Sequence, residues 1–263
     1  MILDLPISTS EKENLESLAA ARFVQQGLLP KERHFKRLFE DSFAFYAPQN
    51  IISGDFYWLG EKHGLKYLVV GDCSGHGISA ALLSVLALNL FEYVIMNKGL
   101  KKTNKILQEI DKKFIESFKD SANINFDNPW IDLTVICINT KKNEVQYSSA
   151  NRKVLHIQEN SANLYKGSKY PIGGWQVQED RNFQSYSFKY QKGDCIYLGS
   201  DGFQDQIGGP KLKKYSSRKL HTFLQSVHQY PFYNQLESLA LEFANWRGKE
   251  GQLDDVCVVG LRL

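Results

Sequence analysis

The stretch from residue 67 to residue 95 constrains the fold more than any other part of the sequence. An apolar run at residues 67–71 leads into Asp72, a turn with two glycines follows at residues 73–77, and the chain then becomes apolar again. This pattern predicts a buried strand that carries a carboxylate at its end. The glycines allow the backbone to turn tightly and to approach a ligand closely. Residues 78–88 are uncharged and helix-forming, which predicts a core helix. The alternative is that Asp72 is an ordinary acid in a surface turn.

Length and composition indicate a globular protein. The chain has 263 residues, of which 43% are hydrophobic and 23% charged, enough for one large domain or two small ones. No repeat and no Pro/Gly-rich linker divides it, so one domain is favoured. The net charge is only +3 and the charges are interspersed. Composition therefore gives no indication of a nucleic-acid partner or of a charged membrane surface.

Cysteine usage and the start of the chain favour a cytoplasmic protein. No Cys-x-x-Cys pair occurs, so neither a zinc site nor a disulfide framework is predicted. The cysteines, which we expect to be small buried hydrophobes in a reducing compartment, are Cys73, Cys137, Cys195 and Cys257. Residues 1–14 contain no apolar segment flanked by basic residues, so we expect no signal peptide. Polar residues interrupt the apolar run at residues 78–95, so we expect no membrane span.

Most of the remaining chain is predicted to form strands, with helices in two groups after Asp72 and after Asp201. The predicted strands are two within residues 43–59, then 67–71, 130–139, 144–150, 153–158, 183–190, 195–199 and 255–261. The predicted helices are 78–88, 103–118, 217–228 and 234–247, with a loop at 119–129. This order favours two packed antiparallel sheets with helices outside, an α+β sandwich, over an alternating parallel sheet.

An amphipathic helix is predicted before the first strand. Ser10 and Glu13 fit a capping box, and apolar residues recur at helical spacing until Gly27 and Pro30 end the helix. Such a helix can belong to the core, or it can dock or dimerise, and its sequence does not separate these roles.

Four aspartates share one sequence context: Asp55, Asp72, Asp201 and Asp254 each adjoin an apolar strand. Buried carboxylates are costly unless they are paired or bound to a metal. If the strand ends converge, divalent cations would relieve the repulsion, and ligands that are all oxygen favour Mg²⁺ or Mn²⁺. Two such ions can activate a water and hold phosphate oxygens for in-line displacement. The alternative is that each aspartate caps a turn.

Other catalytic motifs are weaker. The glycine-rich turn lacks the Gly-Lys-Ser/Thr of a P-loop, and neither Ser74 nor Ser200 lies in Gly-x-Ser-x-Gly. His76 is predicted either to protonate a leaving oxygen or to order the turn by hydrogen bonding.

Four motifs together resemble the bacterial metal-dependent serine/threonine phosphatases of the SpoIIE group, in the type-2C-like (PPM) superfamily. The motifs are Ser-Gly-Asp at residues 53–55, Gly-Asp-x-x-Gly-His-Gly at 71–77 with Ala-Ala-Leu at 80–82, Ser-Asp-Gly at 200–202 and Asp-Asp at 254–255. The resemblance extends from about residue 15 to the end of the chain. It implies a four-layer α-β-β-α sandwich with a phosphatase domain at residues 31–263. Residues 1–30 would form a regulatory or dimerising helical segment.

The resemblance also implies roles for individual residues. Asp72 would bridge two metals, the backbone carbonyl of Cys73 would complete one coordination sphere, and Asp55 would contribute directly or through water. Asp201 and Asp254 would hold the second metal; Asp254 is preferred to Asp255 because the family pattern has the metal acid first. The acids at positions matching a looser third metal site are Asp132 and Asp205, for which solvated side chains are the alternative.

The implied reaction is hydrolysis of phosphoserine or phosphothreonine on a regulatory protein, often a small anti-sigma-factor antagonist, by a water that two Mn²⁺ or Mg²⁺ ions activate. The helix at residues 10–29 is expected to dimerise or to receive an input from a sensor, unless the chain is an excised catalytic domain. Residues 149–152, Ser-Ala-Asn-Arg, depart from the Ala-Gly-His or Ala-Gly-Ala-Asn of many relatives, so the substrate contacts of this turn do not carry over. The alternatives are a binding module that keeps the fold without turnover and, more remotely, a two-metal nuclease.

Overall fold

Two antiparallel β-sheets face each other, and helices cover the outer side of each. The computed structural model describes residues 9–119, 128–174 and 181–263, with side chains from residue 12 onward. Every pairing between the named strands is antiparallel. The α+β fold with an α-β-β-α layer order is therefore confirmed.

The elements follow one another with short connections. The strands are β1 Ser42–Ala47, β2 Asp55–Lys62, β3 Leu65–Cys73, β4 Trp130–Asn139, β5 Glu144–Ala150, β6 Lys153–Gln158, β7 Ser161–Lys166, β8 Ile172–Gly173, β9 Tyr186–Lys189, β10 Cys195–Gly199, β11 Ile207–Gly208, β12 Lys213–Lys214 and β13 Val256–Arg262. The helices are α1 Thr9–Leu28, α2 Glu32–Leu38, α3 Gly77–Phe91, α4 Thr103–Phe118, α5 Gly202–Asp205, α6 Ser217–Val227 and α7 Phe232–Arg247, and a π-helical turn, Glu92–Asn97, continues α3.

Each sheet contains strands from both the first and the second half of the chain. The first sheet has the order β1-β13-β10-β6-β7, and the second has the order β2-β3-β4-β5-β9, with β8 paired to β4. Helices α3 and α4 pack on the second sheet, whereas α5 and α7 pack on the first. The last strand, β13, thus lies between β1 and β10 in the first sheet, although α5, α6 and α7 separate it from β10 in sequence.

Alternation along β10 shows how the layers are built. Ile196 and Leu198 belong to the core between the sheets, whereas Cys195 and Tyr197 belong to a second core under α6 and α7. Successive side chains of a strand point to opposite faces, so a strand that is apolar throughout can serve two cores. This explains why β10 has no polar residue within it.

Helix α3 begins directly after the glycine turn. Ala80, Ala87 and Phe91 are fully buried in the main core, and the helix packs against β2 and β3. Among the helices of the described residues, the continuous stretch Gly77–Asn97 is long and apolar enough to span a membrane. However, 44% of its most apolar part is buried inside the fold. The predicted core helix is confirmed at this position.

Several predicted boundaries differ from the structure. The strand expected at residues 183–190 is shortened to β9, because the carbonyl of Gln184 accepts the Ser148 hydroxyl and the Ser185 hydroxyl pairs with Thr103 at 2.9 Å. Helix α2 and strand β7 were not predicted. Helix α1 starts at Thr9, but the side chain of the predicted cap, Ser10, lies outside the described residues. Most of the predicted loop, residues 120–127, also lies outside them.

Candidate metal centre

Three aspartates form a row across the second sheet. Asp55 on β2 pairs with Asp72 on β3, and Asp72 pairs in turn with Asp132 on β4. Residues directly opposite each other in a sheet present their side chains on the same face. Like charges in such positions repel, so the sequence places an unusual charge density at this end of the sheet. A row of this kind requires protonation or a cation.

The first sheet supplies two more acids to the same place. Asp201 follows β10 and Asp254 precedes β13, and these two strands are paired. Burial raises the pKa of Asp72 well above its usual range; Arg152 opposes this effect, and the negative charges of Asp201 and Asp254 reinforce it. Acids from both sheets therefore act on one carboxylate.

Arg152 lies among these carboxylates. Its guanidinium pairs with Asp72, lies 3.5 Å from Asp132 Oδ2 and contacts Asp201 Oδ2 at 3.0 Å. Its side chain is only 10% exposed. One cation thus joins acids that belong to both sheets. Sequence reasoning assigned no role to Arg152, although the departure at residues 149–152 had singled out its turn.

Asp55 is the most buried acid of the group, with 1% of its surface exposed. The Ser200 hydroxyl donates to Asp55 Oδ2 at 2.5 Å and accepts the backbone N–H of Cys257 at 3.0 Å. Burial and the neighbouring charge of Asp72 raise the pKa of Asp55 well above its usual range, although the Ser200 hydrogen bond opposes them. Ser200, which had no predicted role, holds the Asp55 carboxylate against the first sheet.

The consecutive acids before β13 have different surroundings. Asp255 is buried, and its two oxygens accept the backbone N–H groups of Gln49 at 2.7 Å and Gly54 at 2.8 Å. Asp254 Oδ1 accepts the N–H of Asp255, and its other oxygen accepts no hydrogen bond from the described residues. Burial raises the pKa of Asp254, and Asp201 adds to the effect. Asp254 therefore has an oxygen that is free to bind a cation, whereas both oxygens of Asp255 are occupied, and this difference supports Asp254 as the predicted metal ligand.

Comparison with known proteins agrees with this arrangement. Residues 63–263 match the family described as Stage II sporulation protein E (SpoIIE). The chain belongs to the SpoIIE family. Phosphoserine phosphatase RsbP of Bacillus subtilis (strain 168) is 24% identical over 245 residues, which are 92% of this chain and 56% of RsbP. The chain thus spans about half the length of this curated relative. The resemblance to SpoIIE-like PPM-type phosphatases is confirmed.

Two solved structures show the same fold. The SiaA-PP2C domain of Pseudomonas aeruginosa superimposes with a TM-score of 0.87 at 24% identity, covering 97% of this chain and 99% of that domain. The phosphatase domain of SpoIIE from Bacillus subtilis, with a fragment of its regulatory domain, gives a TM-score of 0.66 at 18% identity, covering 85% of this chain and 63% of that one. Their likeness supports the sandwich and not, by itself, a reaction.

The acids of this SpoIIE-family chain are chemically suited to bind divalent cations. The donors are all oxygens, which suits Mg²⁺ or Mn²⁺. Asp132 Oδ1 is buried and has no hydrogen-bond partner among the described residues. Burial raises the pKa of Asp132 to about 6, against the effects of Arg152 and Asn151. Across the described ranges, no three acidic, His or Cys side chains are already arranged as a metal-binding group. Arg152 lies between the acids that would have to form one.

The three remaining predicted site residues, Cys73, Asp205 and His76, have different surroundings. The Cys73 thiol is buried, and its carbonyl oxygen lies 3.1 Å from the position that a Cβ on Gly54 would take. Asp205 is half exposed and pairs with Lys214 at 2.9 Å, and its N–H donates to the Asp201 carbonyl at 2.9 Å. His76 is exposed at the start of α3, and its ring makes no hydrogen bond to the described residues. The predicted ordering of the turn by His76 is therefore not observed.

A buried glutamine connects α1 to the centre. Gln25, 4% exposed, donates to the Ser53 carbonyl at 2.6 Å and to Ser84 Oγ on α3 at 2.9 Å, and accepts the Ser53 N–H at 3.1 Å. The Ser53 hydroxyl in turn accepts the N–H of Asp55 at 3.1 Å. The N-terminal helix thus contacts the segment that positions a predicted metal ligand.

A cavity of about 140 Å³ has Arg152 and Ser200 in its wall. Lys153 and His221 also line it, and much of the remaining wall is apolar, with Leu155, Leu220 and Leu224. Burial and Lys153 lower the pKa of His221. Arg152 therefore belongs both to the acidic centre and to a cavity whose wall is partly basic.

Proposed function

We propose that this chain is a protein phosphatase that removes phosphate from serine or threonine of a regulatory protein with the help of divalent cations. The observation that carries the proposal is the meeting of Asp55, Asp72 and Asp132 from one sheet with Asp201 and Asp254 from the other. Family membership supports a phosphatase. The identity of the substrate and the dependence on Mn²⁺ or Mg²⁺ are part of the proposal.

The acids have distinct parts in it. Asp72, at the middle of the row, would contact both of two cations; Asp55 and the carbonyl of Cys73 would complete one set, and Asp201 and Asp254 the other. Asp132 is better placed than Asp205 for a third, looser cation, because it pairs directly with Asp72. Two divalent cations supply, when bound, the positive charge that activates a water and stabilises phosphoryl transfer.

The chain's own residues prepare this centre. Ser200 orients the Asp55 carboxylate, and Asp255 fixes the backbone of Gly54 next to it. These contacts hold Asp55 and the backbone before it in place, and groups that are fixed in advance avoid reorganisation during a reaction. His76 remains a proposed proton donor to the leaving oxygen, because it is exposed in the turn directly after the Asp72 strand.

The substrate that we propose is a phosphorylated signalling protein, such as an anti-sigma-factor antagonist. The name phosphoserine phosphatase for RsbP supports serine phosphate as the target. The open cavity beside Arg152 would admit a phosphorylated side chain presented on a protein surface. A cytoplasmic location, as expected from the sequence, is part of this proposal.

We further propose that α1 receives the regulatory input, from a partner chain or from a second copy of this one. Phe23 is 80% exposed and Val24 60%, so the helix presents apolar surface that the described fold does not cover. On the opposite side of the same helical turn, Gln25 is bonded to Ser53. In this proposal residues 1–30 form the regulatory segment and residues 31–263 the phosphatase domain.

A binding module without turnover is the second candidate function. The observation that favours it is Arg152, whose guanidinium already provides a positive charge to three of the acids. A protein of this kind could keep its fold and bind a phosphoprotein without hydrolysing it.

The deciding experiment measures hydrolysis of an aryl phosphate and of a phosphoserine peptide with Mn²⁺, with Mg²⁺ and with a chelator. We expect metal-dependent turnover that Asp72→Asn and Asp201→Asn each reduce by at least about a hundredfold, because both carboxylates would contact cations. Glu144→Gln, a change on β5 at an acid paired with Lys189, serves as the control and should retain the wild-type rate. Binding of Mn²⁺ without turnover of either substrate would favour the binding module.

A further inference from the structure

We propose that Arg152 has two alternating partners: it neutralises the carboxylates while divalent cations are absent, and it binds the substrate's phosphoryl group once cations take its place. This inference rests on the proposed function and adds to the reaction a residue that the sequence motifs did not identify. In this proposal one side chain both competes with cations for the carboxylates and binds the phosphate.

The first half follows from the contacts of the guanidinium. Arg152 Nη2 pairs with Asp72 and approaches Asp132, while Nη1 contacts Asp201 at 3.0 Å. Asp72 and Asp201 are also proposed cation ligands, so one carboxylate cannot direct the same oxygen at both partners. An arginine guanidinium stays charged at every accessible pH, so Arg152 competes with cations for the carboxylates that it contacts.

The phosphate-binding half of the proposal follows from a hydrogen-bond donor of Arg152 that has no partner. Arg152 Nε is buried and has no hydrogen-bond partner among the described residues. The side chain also lines the cavity of about 140 Å³, as does Ser200. A guanidinium offers a planar fork of donors that matches phosphate oxygens. A phosphoryl group in that cavity would lie within reach of the Arg152 side chain.

The turn that holds Arg152 is built to fix its position. Asn151 has a backbone φ of 62°, its N–H donates to the Ser168 carbonyl at 2.9 Å, and its side chain donates to Asp132 Oδ2 at 3.3 Å. Left-handed backbone is uncommon outside glycine, and Asn tolerates it better than most residues. Asn151 thus fixes the main chain at the root of Arg152, and the guanidinium remains the part that can change partner.

The first test is a calorimetric titration of Mn²⁺ into the metal-free full chain at pH 8, without substrate. We expect Arg152→Gln to bind Mn²⁺ at least about tenfold more tightly than wild type, because the competing charge has gone. Arg181→Gln is the matched control: Arg181 is a buried arginine, 5% exposed, that pairs with Asp111 at 3.4 Å. It should leave Mn²⁺ affinity unchanged. An affinity for Arg152→Gln equal to or weaker than that of wild type would overturn the competition.

The second test measures the affinity of inorganic phosphate for the Mn²⁺-loaded proteins. Arg152→Gln should weaken phosphate binding by about 10- to 100-fold, as expected for the loss of charge-assisted hydrogen bonds, and Arg181→Gln should not. Equal phosphate affinity in wild type and Arg152→Gln would overturn the phosphate role.

Arg152→Lys keeps the proposal testable if Arg152→Gln does not fold, which circular dichroism would reveal. Lysine retains the charge without the fork of donors, so it should bind Mn²⁺ with about the wild-type affinity and phosphate more weakly. An Arg152→Lys protein that binds phosphate as tightly as wild type would contradict the proposal. Neither titration requires turnover, so an inactive wild-type protein would refute the proposed phosphatase while leaving these outcomes decisive for Arg152.

Discussion

Asp254 and Asp255 show how neighbouring identical residues acquire different roles. Both acids precede β13, and one oxygen of Asp254 accepts no hydrogen bond from the described residues. Asp255 instead binds the backbone of Gln49 and Gly54, and thereby ties β13 to the segment before β2. The glycine after Asp201 belongs to the same packing: a Cβ on Gly202 would lie 1.9 Å from the Asp255 carbonyl oxygen.

This difference predicts opposite phenotypes for two matched substitutions. Asp255→Asn should lower the free energy of unfolding by about 1–3 kcal/mol, because an amide group cannot accept both backbone N–H groups. Asp254→Asn should leave the free energy of unfolding nearly unchanged and weaken Mn²⁺ binding by about tenfold or more, because it removes a proposed ligand.

Urea denaturation in a chelator and Mn²⁺ titration measure the two effects, and each variant is the control for the other. A large loss of Mn²⁺ affinity in Asp255→Asn, with none in Asp254→Asn, would reverse the assignment.

Among the elements, α1 has the most unusual surroundings. Most of its described side chains are exposed, yet Gln25 is buried and makes three hydrogen bonds. Both partners on Ser53 are backbone groups, so the glutamine acts as an added strand-like partner for the chain that enters β2. A displacement of α1 would therefore leave buried polar groups of Ser53 without partners, which is costly.

We expect Gln25→Ala to lower the free energy of unfolding by about 1–3 kcal/mol, because the N–H and C=O of Ser53 lose their partner. It should also reduce Mn²⁺-dependent turnover, since Asp55 follows Ser53 by two residues. Arg22→Ala, an exposed change on the same helix, should alter the free energy of unfolding by less than about 0.5 kcal/mol.

Denaturation and turnover of both variants check this prediction. If Gln25→Ala lost stability but turned over at the wild-type rate, Gln25 would be a structural contact only.

Local sequence patterns predicted most elements well and a few poorly. Helix α4 matches the predicted residues 103–118, and β4, β5 and β6 match their predicted bounds, because each has a clear period and a turn on either side. Strand β7 is mostly exposed and α2 is only seven residues long, so neither has enough apolar periodicity to be recognised. In the predicted strand at 183–190, side chains and backbone groups bond to Ser148 and Thr103 instead of extending the ladder.

In the whole molecule, the acidic centre lies where the ends of the two sheets meet. The row on the second sheet and the acids on the first meet only because the sheets pack face to face at that end. Arg152 connects them across the interface. Burial raises the pKa values of the second sheet's acids, Asp55, Asp72 and Asp132, so the fold disfavours their ionised forms.

The free energy of unfolding of the metal-free protein should therefore depend on pH through these acids. The pKa of Asp132 is raised to about 6 in the folded protein, above its ordinary value of 3.8. A raised pKa adds stability that is present below pH about 4 and is lost as the pH rises through about 6. Asp132→Asn lacks this titration, so its free energy of unfolding should fall less than that of wild type between pH 4 and 7.

Urea denaturation in a chelator across this range, with wild type and Asp132→Asn in parallel, measures the difference. Saturating Mn²⁺ should flatten the wild-type curve, because a bound cation stabilises the ionised acids. Parallel curves for the two proteins in chelator would show that Asp132 does not titrate in this way.

The sequence alone determined most of the longer strands, the core helix, the layered fold class and the family, because each rests on local periodicity or on short motifs. It also pointed to Asp55, Asp72, Asp201 and Asp254 as acids at strand ends. Only the tertiary structure decided which acids face one another, that Asp205 pairs with Lys214, and that Ser200 and Arg152 belong to the centre. Contacts between two sheets depend on strand register and on packing between residues far apart in sequence, and no local pattern contains that information.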